Sequence, residues 1–324
     1  MDNAVLNRLK NAGLLSEQTP DMGFVSTGSF ALNKVISGDY TKGIPIGMIT
    51  QFHGEASTAK TVFATHILKE AQQKGFYTML VDSENAYNSE FATSLGLDPK
   101  KLIYAAPETL EDCFQVIEDT ILAIRETDKE TPIVVAYDSI AVSPSKAEYE
   151  AENYEGNNMQ GAVRAKSTGA CLRKINPLMR KHRVALVVVN QIRNKVGVMY
   201  GDPTTMAAGG KSLEYYLGVN LKTISNKTSD LIKDDHKQVI GIQGKVRNTK
   251  NKVSIPFRET SFRLMYDEGL DPFEGMLDCL IADKVITQSG AWYSYGDLKF
   301  QKKHFNDEFS TEKFENLRKE LGLP

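Results

Sequence analysis

Two stretches of this chain are apolar at almost every position and then end on polar side chains: Ile133-Val-Val-Ala-Tyr-Asp138 and Val184-Ala-Leu-Val-Val-Val-Asn-Gln191. A strand with one wetted face alternates apolar and polar residues, so an unbroken apolar run implies burial on both faces. That is the condition of a parallel sheet covered by helices on both sides. The segments around these runs fit such a sheet. Apolar spacing predicts helices from Lys60 to Lys74, near Ser89 to Leu95, from Leu110 to Glu126 and from about Gly161 to His182, while TMLVDS and LIYAAP supply further strands. Upstream, VSTGSFALNKVISG reads as a capped helix closed by glycine, and GIPIGMITQFHG as a turn leading into another buried strand. Past Gly218, the short runs VNLKTIS, QVIGIQGKVR and FRLMYDEG predict an antiparallel extension of the sheet. The expected fold class is α/β: a mostly parallel central sheet flanked by helices, with a short N-terminal helix and a small C-terminal α/β lobe. The expected divisions are residues 1–20 for the N-terminal helix and linker, 21–268 for the core and 269–324 for the lobe.

Composition excludes little. A charged fraction of 25% and a net charge of −2 over 324 residues are ordinary for a soluble protein, so any polyanionic partner has to be held by local basic clusters. Cys113, Cys171 and Cys279 are far apart and lack metal-ligand spacing, which suits a reducing cytosol. No apolar run of signal-peptide type opens the chain, and none approaches the roughly 20 residues that cross a bilayer. The expectation is a soluble, intracellular protein with no membrane partner.

The strand ITQFHG runs into HGEASTAKTV, which would complete the phosphate-loop pattern G-x-x-x-x-G-K-[ST] if Ala59 were glycine. Such a loop turns backbone N–H groups inward and starts a helix whose positive dipole end faces the phosphates. Lys60 would reach the β- and γ-phosphates and the Thr61 hydroxyl would ligate Mg²⁺. Asp138, ending a buried strand, supplies the carboxylate that such a Mg²⁺ shell needs. In VDSE, Glu84 is placed to orient or deprotonate an attacking water. The amide Gln191, ending VALVVVNQ, could sense the γ-phosphate. Taken singly, each has a plainer reading: a chance strand-to-helix pattern, an aspartate capping a turn, a solvated strand end. Four polar strand ends on one edge of a parallel sheet match the ligand position of open α/β folds.

As a set these residues resemble the RecA family of homologous-recombination ATPases. The resemblance runs from about Phe24 to Tyr295 and includes VSTGSFALN, VDSEN, GLDPKKL, YDSIAVSPSKAE, NQIRNKVGVMYGDPTTMAAGGKSLEYY, KNKVSIPF and GAWYSY; RAKS looks more like the bacteriophage, UvsX-type, branch. It implies a RecA-type phosphate-loop ATPase core, with ATP and Mg²⁺ as cofactors. ATP would be held by Gly54, Glu55, Ala56, Ser57, Thr58, Ala59, Lys60, Thr61 and Val62, with Asn88, Phe91 and Tyr266 near the base. Thr61 and Asp138 would bind the metal. Glu84 would be the catalytic carboxylate, Lys60 and Gln191 its catalytic partners, and Lys250 and Lys252 would reach the ATP of a neighbouring subunit.

Two segments suit DNA. Residues 150–161 are rich in Gly, Asn and charge and are followed by Arg164, Lys166 and Arg173. Residues 192–210 lack a secondary-structure pattern and carry Arg193 and Lys195 for phosphates, with Val196, Met199 and Tyr200 to wedge or stack between bases and the Gly209–Gly210 pair at the end. Any one of these cations alone reads as a solvated surface charge. The resemblance implies partners in single-stranded DNA, homologous double-stranded DNA and copies of the chain in a helical filament, with single-strand-binding and loader proteins as candidate helpers, in the bacterial or phage-infected cytoplasm. Two other readings stay open: a DNA-coating or regulatory relative whose loop has lost turnover, and a ring-forming RecA-like helicase, against which NQIRNKVGVMYG argues.

Overall fold

A computed structural model of the chain describes residues 7–8, 12, 21–151, 158–194, 204–206, 210–226 and 228–324. Helix α1 (Phe30–Ser37) starts where the Ser29 hydroxyl accepts from the Leu32 N–H, and it stops at Gly38, whose φ of 88° is open to glycine. Strand β1 (Ile49–Gly54) leads through the 55–59 turn into α2 (Lys60–Gln73). Then follow β2 (Tyr77–Asp82), α3 (Ser89–Ser94), β3 (Leu102–Ala105), α4 (Leu110–Thr127), β4 (Ile133–Asp138), α5 (Asn158–Lys181) and β5 (Val184–Asn194). Helix α6 (Gly210–Tyr216) runs straight into β6 (Leu217–Ile224), and β7 (Val239–Asn251), β8 (Glu259–Met265) and β9 (Gly269–Leu270) close the sheet.

Across the sheet the order is β9-β8-β7-β6-β1-β5-β4-β2-β3. The six strands from β6 to β3 are parallel, and β7, β8 and β9 add on antiparallel. One expectation is corrected here: VNLKTIS, which lies in β6, is parallel to β1 and does not belong to the antiparallel extension. The crossover from β5 ends in α6, a seven-residue helix too short to announce itself by periodicity, from which the chain enters the sheet in the direction of β1.

Apolar layers cover both faces. On one, Phe52, Val187, Val189 and Leu221 meet Phe63 and Ile67 of α2, with the Phe52 and Phe63 rings stacked at 5.2 Å. On the other, Ile49, Val135, Tyr137, Leu186 and Val188 meet Phe114 and Ile117 of α4 and Leu172 and Ile175 of α5. Amid this core lies a buried amide ladder across three strands. The Asn190 amide donates to Gln51 Oε1 at 3.0 Å, and the Gln51 amide donates to Asn220 Oδ1 at 2.8 Å. The C-terminal lobe packs α7 (Met276–Ala282), a three-stranded antiparallel sheet over 287–301 and two short helices around Phe300, Phe305, Phe309 and Phe314, and this core also takes in Ala31 and Tyr40. Gly269 and Leu270 still pair with β8, so the main sheet runs that far before the lobe begins.

Candidate nucleotide site

Register brings the polar strand ends into one row. Gly54 lies opposite Gln191 on one side and Thr223 on the other, His53 opposite Asn190, and Asp82 opposite Asp138. Beyond this edge the 55–59 turn carries two non-glycine residues with left-handed backbone, Ser57 (φ 61°) and Ala59 (φ 65°). Ala59 caps α2 and offers no side-chain acceptor to its first turn, an arrangement that suits an anionic ligand at the helix start. Lys60 is buried, and its ammonium donates to the Glu55 carbonyl. Gly54 cannot carry a side chain here, because a Cβ would stand 2.3 Å from Thr223 Oγ1 and 2.5 Å from the Thr223 carbonyl.

The carboxylates behave differently from one another. Asp82 is spent on structure: it accepts from the Ala86 and Tyr87 N–H groups and from the Tyr104 hydroxyl, holding the 83–87 turn. Glu84 is exposed, and its Oε1 accepts from the Ser139 hydroxyl at 2.5 Å and from the Gln191 amide at 3.3 Å. Asp138 is buried, and one of its oxygens, Oδ1, has no hydrogen-bond partner. Burial pushes its carboxyl up to about 6; the Thr61 hydroxyl pulls it down, Glu84 and Asp82 raise it further, and Lys60 lowers it. A buried carboxylate oxygen without a donor, beside a threonine hydroxyl at a helix start, fits a divalent cation. Among the described residues no three His, Cys, Asp or Glu side chains group as a metal cage, so a cation here would share its coordination with phosphates.

Two clefts flank the start of α2. One is walled by Ser57 to Val62 with Ile242, Leu264 and Tyr266; the other by Thr61, Ala64, Thr65, Leu80, Tyr87, Asn88, Phe91 and Asp138. The three side chains expected near a base therefore stand on both sides of the same helix. Asn88 also caps α3, accepting from the Phe91 N–H at 2.9 Å. Sequence reading passed over Tyr87, which lines the second cleft and whose buried hydroxyl lacks a partner, and Ser139, which orients Glu84. VDSENAYN held the only hint of Tyr87.

Lys250 and Lys252 lie elsewhere. Lys250 pairs with Asn220, beside Gln51, three residues before Gly54 along β1, and donates to the Glu214 and Tyr215 carbonyls. Burial holds its ammonium below the usual range, with Lys252 adding to the effect and Glu214 opposing it. On α5, Lys166 and Arg173 are exposed and share a helix face at a spacing of two turns. Arg164, expected beside them at DNA, is half-buried and its guanidinium donates to the Ile140 and Ala141 carbonyls, tying α5 to the turn behind Asp138. Gly210 opens α6, and Arg193 lies in β5. The Arg193 side chain, Lys195, Val196, Met199, Tyr200, Gly209, residues 152–157 and most of the N-terminal helix fall outside the described residues.

A sequence model of the family described as the RecA N-terminal domain matches residues 10–271. The chain is 35% identical over 277 residues to Protein RecA of Symbiobacterium thermophilum, covering 85% of this chain and 74% of that protein. It is 33% identical over 294 residues to Protein RecA of Chlorobaculum tepidum, covering 91% and 80%, and 35% identical over 280 residues to that of Geobacter metallireducens, covering 86% and 78%.

Proposed function

The chain belongs to the RecA family, and on that premise we propose that it is a DNA-dependent ATP hydrolase of recombination and repair, which forms a helical filament on single-stranded DNA and pairs it with homologous double-stranded DNA. The observation that carries the proposal is the hydrogen bond from Gln191 to Glu84 at the edge where Lys60, Thr61 and Asp138 also converge. Two donors, Ser139 and Gln191, aim the Glu84 carboxylate at the phosphate side of the cleft, where it serves as the base for water. Lys60 and the α2 N-terminus bind the phosphates. Thr61 and Asp138 would hold Mg²⁺, which when bound neutralises phosphate charge. Gln191 ends the apolar run just before residues 192–210, so any shift it makes toward a phosphate is passed to the segment expected to hold DNA.

The lysines support assembly. Three residues of strand amount to about 10 Å, which sets Lys250 and Lys252 back from their own loop and supports the reading that they serve a neighbour's. Lys166 and Arg173 offer phosphate contacts on one exposed face. A cytoplasmic setting accompanies this reading; among the described residues no helix is long and apolar enough to cross a membrane. An ATPase titration with single-stranded DNA tests the proposal: turnover should rise with DNA, and no stimulation under filament-forming conditions sinks it in favour of a coating protein. Electron microscopy should find open helices; closed rings would favour a helicase.

A further inference from the structure

Strand β6 touches the phosphate loop through Thr223, a side chain outside the phosphate-loop pattern and so far without a role. Thr223 and Thr58 are both buried, at 2% and 1% exposure, and their hydroxyl oxygens lie 2.7 Å apart. Thr58 Oγ1 is also 2.8 Å from the Glu55 carbonyl, and Thr223 Oγ1 is 3.3 Å from the His53 carbonyl. Each hydroxyl has one proton, so the short contacts fix the direction: Thr223 donates to Thr58, and Thr58 donates across the turn to Glu55. The 3.3 Å contact to His53 is the weaker alternative. The chain of bonds spans the turn in which Ser57 and Ala59, on either side of Thr58, hold left-handed backbone. An alanine resists that conformation where a glycine does not. The bare Gly54 makes room for the contact, since any Cβ there would displace the Thr223 hydroxyl.

We infer that Thr223 is a positioning residue for the phosphate loop, its hydroxyl holding Thr58 and the Glu55 carbonyl in place so that the loop keeps its shape with alanine at position 59. This rests on the nucleotide-binding reading above. The test is titration of the purified full-length chain with a fluorescent ATP analogue, together with steady-state ATPase kinetics on single-stranded DNA. Thr223→Val keeps the β-branched shape and removes the hydroxyl. It should weaken nucleotide binding about five- to tenfold, as one lost buried hydrogen bond does, raising KM while leaving kcat at saturating ATP near wild type. Thr223→Ser should restore binding. In an Ala59→Gly background, where the loop needs less support, the Thr223→Val effect should shrink to about twofold or less. Thr58→Val, which cuts the same relay from its other end, should reproduce the KM effect and stands in if Thr223→Val proves unfolded by circular dichroism. Wild-type affinity in both valine variants, or a serine variant as weak as the valine one, overturns the inference. If the wild type binds no better than Lys60→Ala, the nucleotide reading itself falls and takes this inference with it.

Discussion

His66, in the middle of α2, makes the stability of the site wall depend on pH. It is 4% exposed, and its Nε2 accepts from the Leu270 N–H at 3.2 Å, so that nitrogen must carry a lone pair and the ring must be neutral. Nδ1 is buried without a partner, facing Gly28, where even a Cβ would approach to 3.1 Å. Burial, with a smaller push from Lys69, lowers the group from its ordinary 6.5 to about 4. A depressed histidine binds its proton only in the unfolded chain between these values. Its contribution is therefore fully present above pH 6.5 and is lost as the pH falls, at up to about 1.4 kcal/mol per pH unit. The full window amounts to about 3 kcal/mol, a large share of a domain's net stability. The perturbation is His66→Gln, which keeps an acceptor for Leu270 and does not titrate. Urea denaturation at pH 7.5, 6.5, 5.5 and 5.0 should show wild type losing about 2 kcal/mol more than the variant between pH 6.5 and 5.0. Parallel pH curves would refute the reasoning. Because His66 meets Leu270, four residues after Tyr266, nucleotide affinity should weaken in acid together with stability.

Other expectations address the chemistry. Lys60→Ala should abolish nucleotide binding or turnover together with strand exchange, a loss of at least about 3 kcal/mol in kcat/KM read by ATPase assay. Glu84→Gln should bind ATP and coat DNA while turnover falls about a hundredfold or more; wild-type hydrolysis would remove Glu84 as the base. Ala59→Gly should fold with a stability within about 1 kcal/mol of wild type, because relief of left-handed strain is set against loss of a buried methyl, and it should raise nucleotide affinity or turnover. A marked loss of activity would mean that the loop has adapted to alanine. If lysines complete a neighbour's site, mixing inactive Lys60→Ala with inactive Lys250→Ala should restore activity at about a quarter of the interfaces, and a silent mixture would argue against the shared site.

Much of the fold could be read because burial on both faces leaves a direct mark: IVVAYD and VALVVVNQ have no polar position to hide, and both became central strands. Asp138 stood out for the same reason, as the first polar residue after an apolar run, and Glu84 and Gln191 lie within three residues of the end of such a run. Thr223 was not, since a threonine within VNLKTIS satisfies strand preference by itself and its partner, Thr58, is 165 residues away. The direction of β6 escaped because α6 is short and abuts the strand without a break. The bonding of Arg164 could not be read, because a guanidinium looks like a surface cation until the carbonyls of Ile140 and Ala141 are found around it. Asn88 carries a local signature, the helix cap, that is independent of any part it plays with a ligand.

The amide ladder of Asn190, Gln51 and Asn220 has a consequence for how the chain reaches its fold. Parallel strands buried along almost their whole length, as β1 and β6 are, have little in their burial alone to fix how they pair. A slip of one residue between β1 and β5 would turn the amides to opposite faces and strand them in hydrocarbon, at about 1–3 kcal/mol for each group left unbonded. Mispaired sheets are thus discouraged during folding by the same three side chains that keep Gly54 level with Gln191 and Thr223, and the assembly of the site is proofread before any ligand arrives.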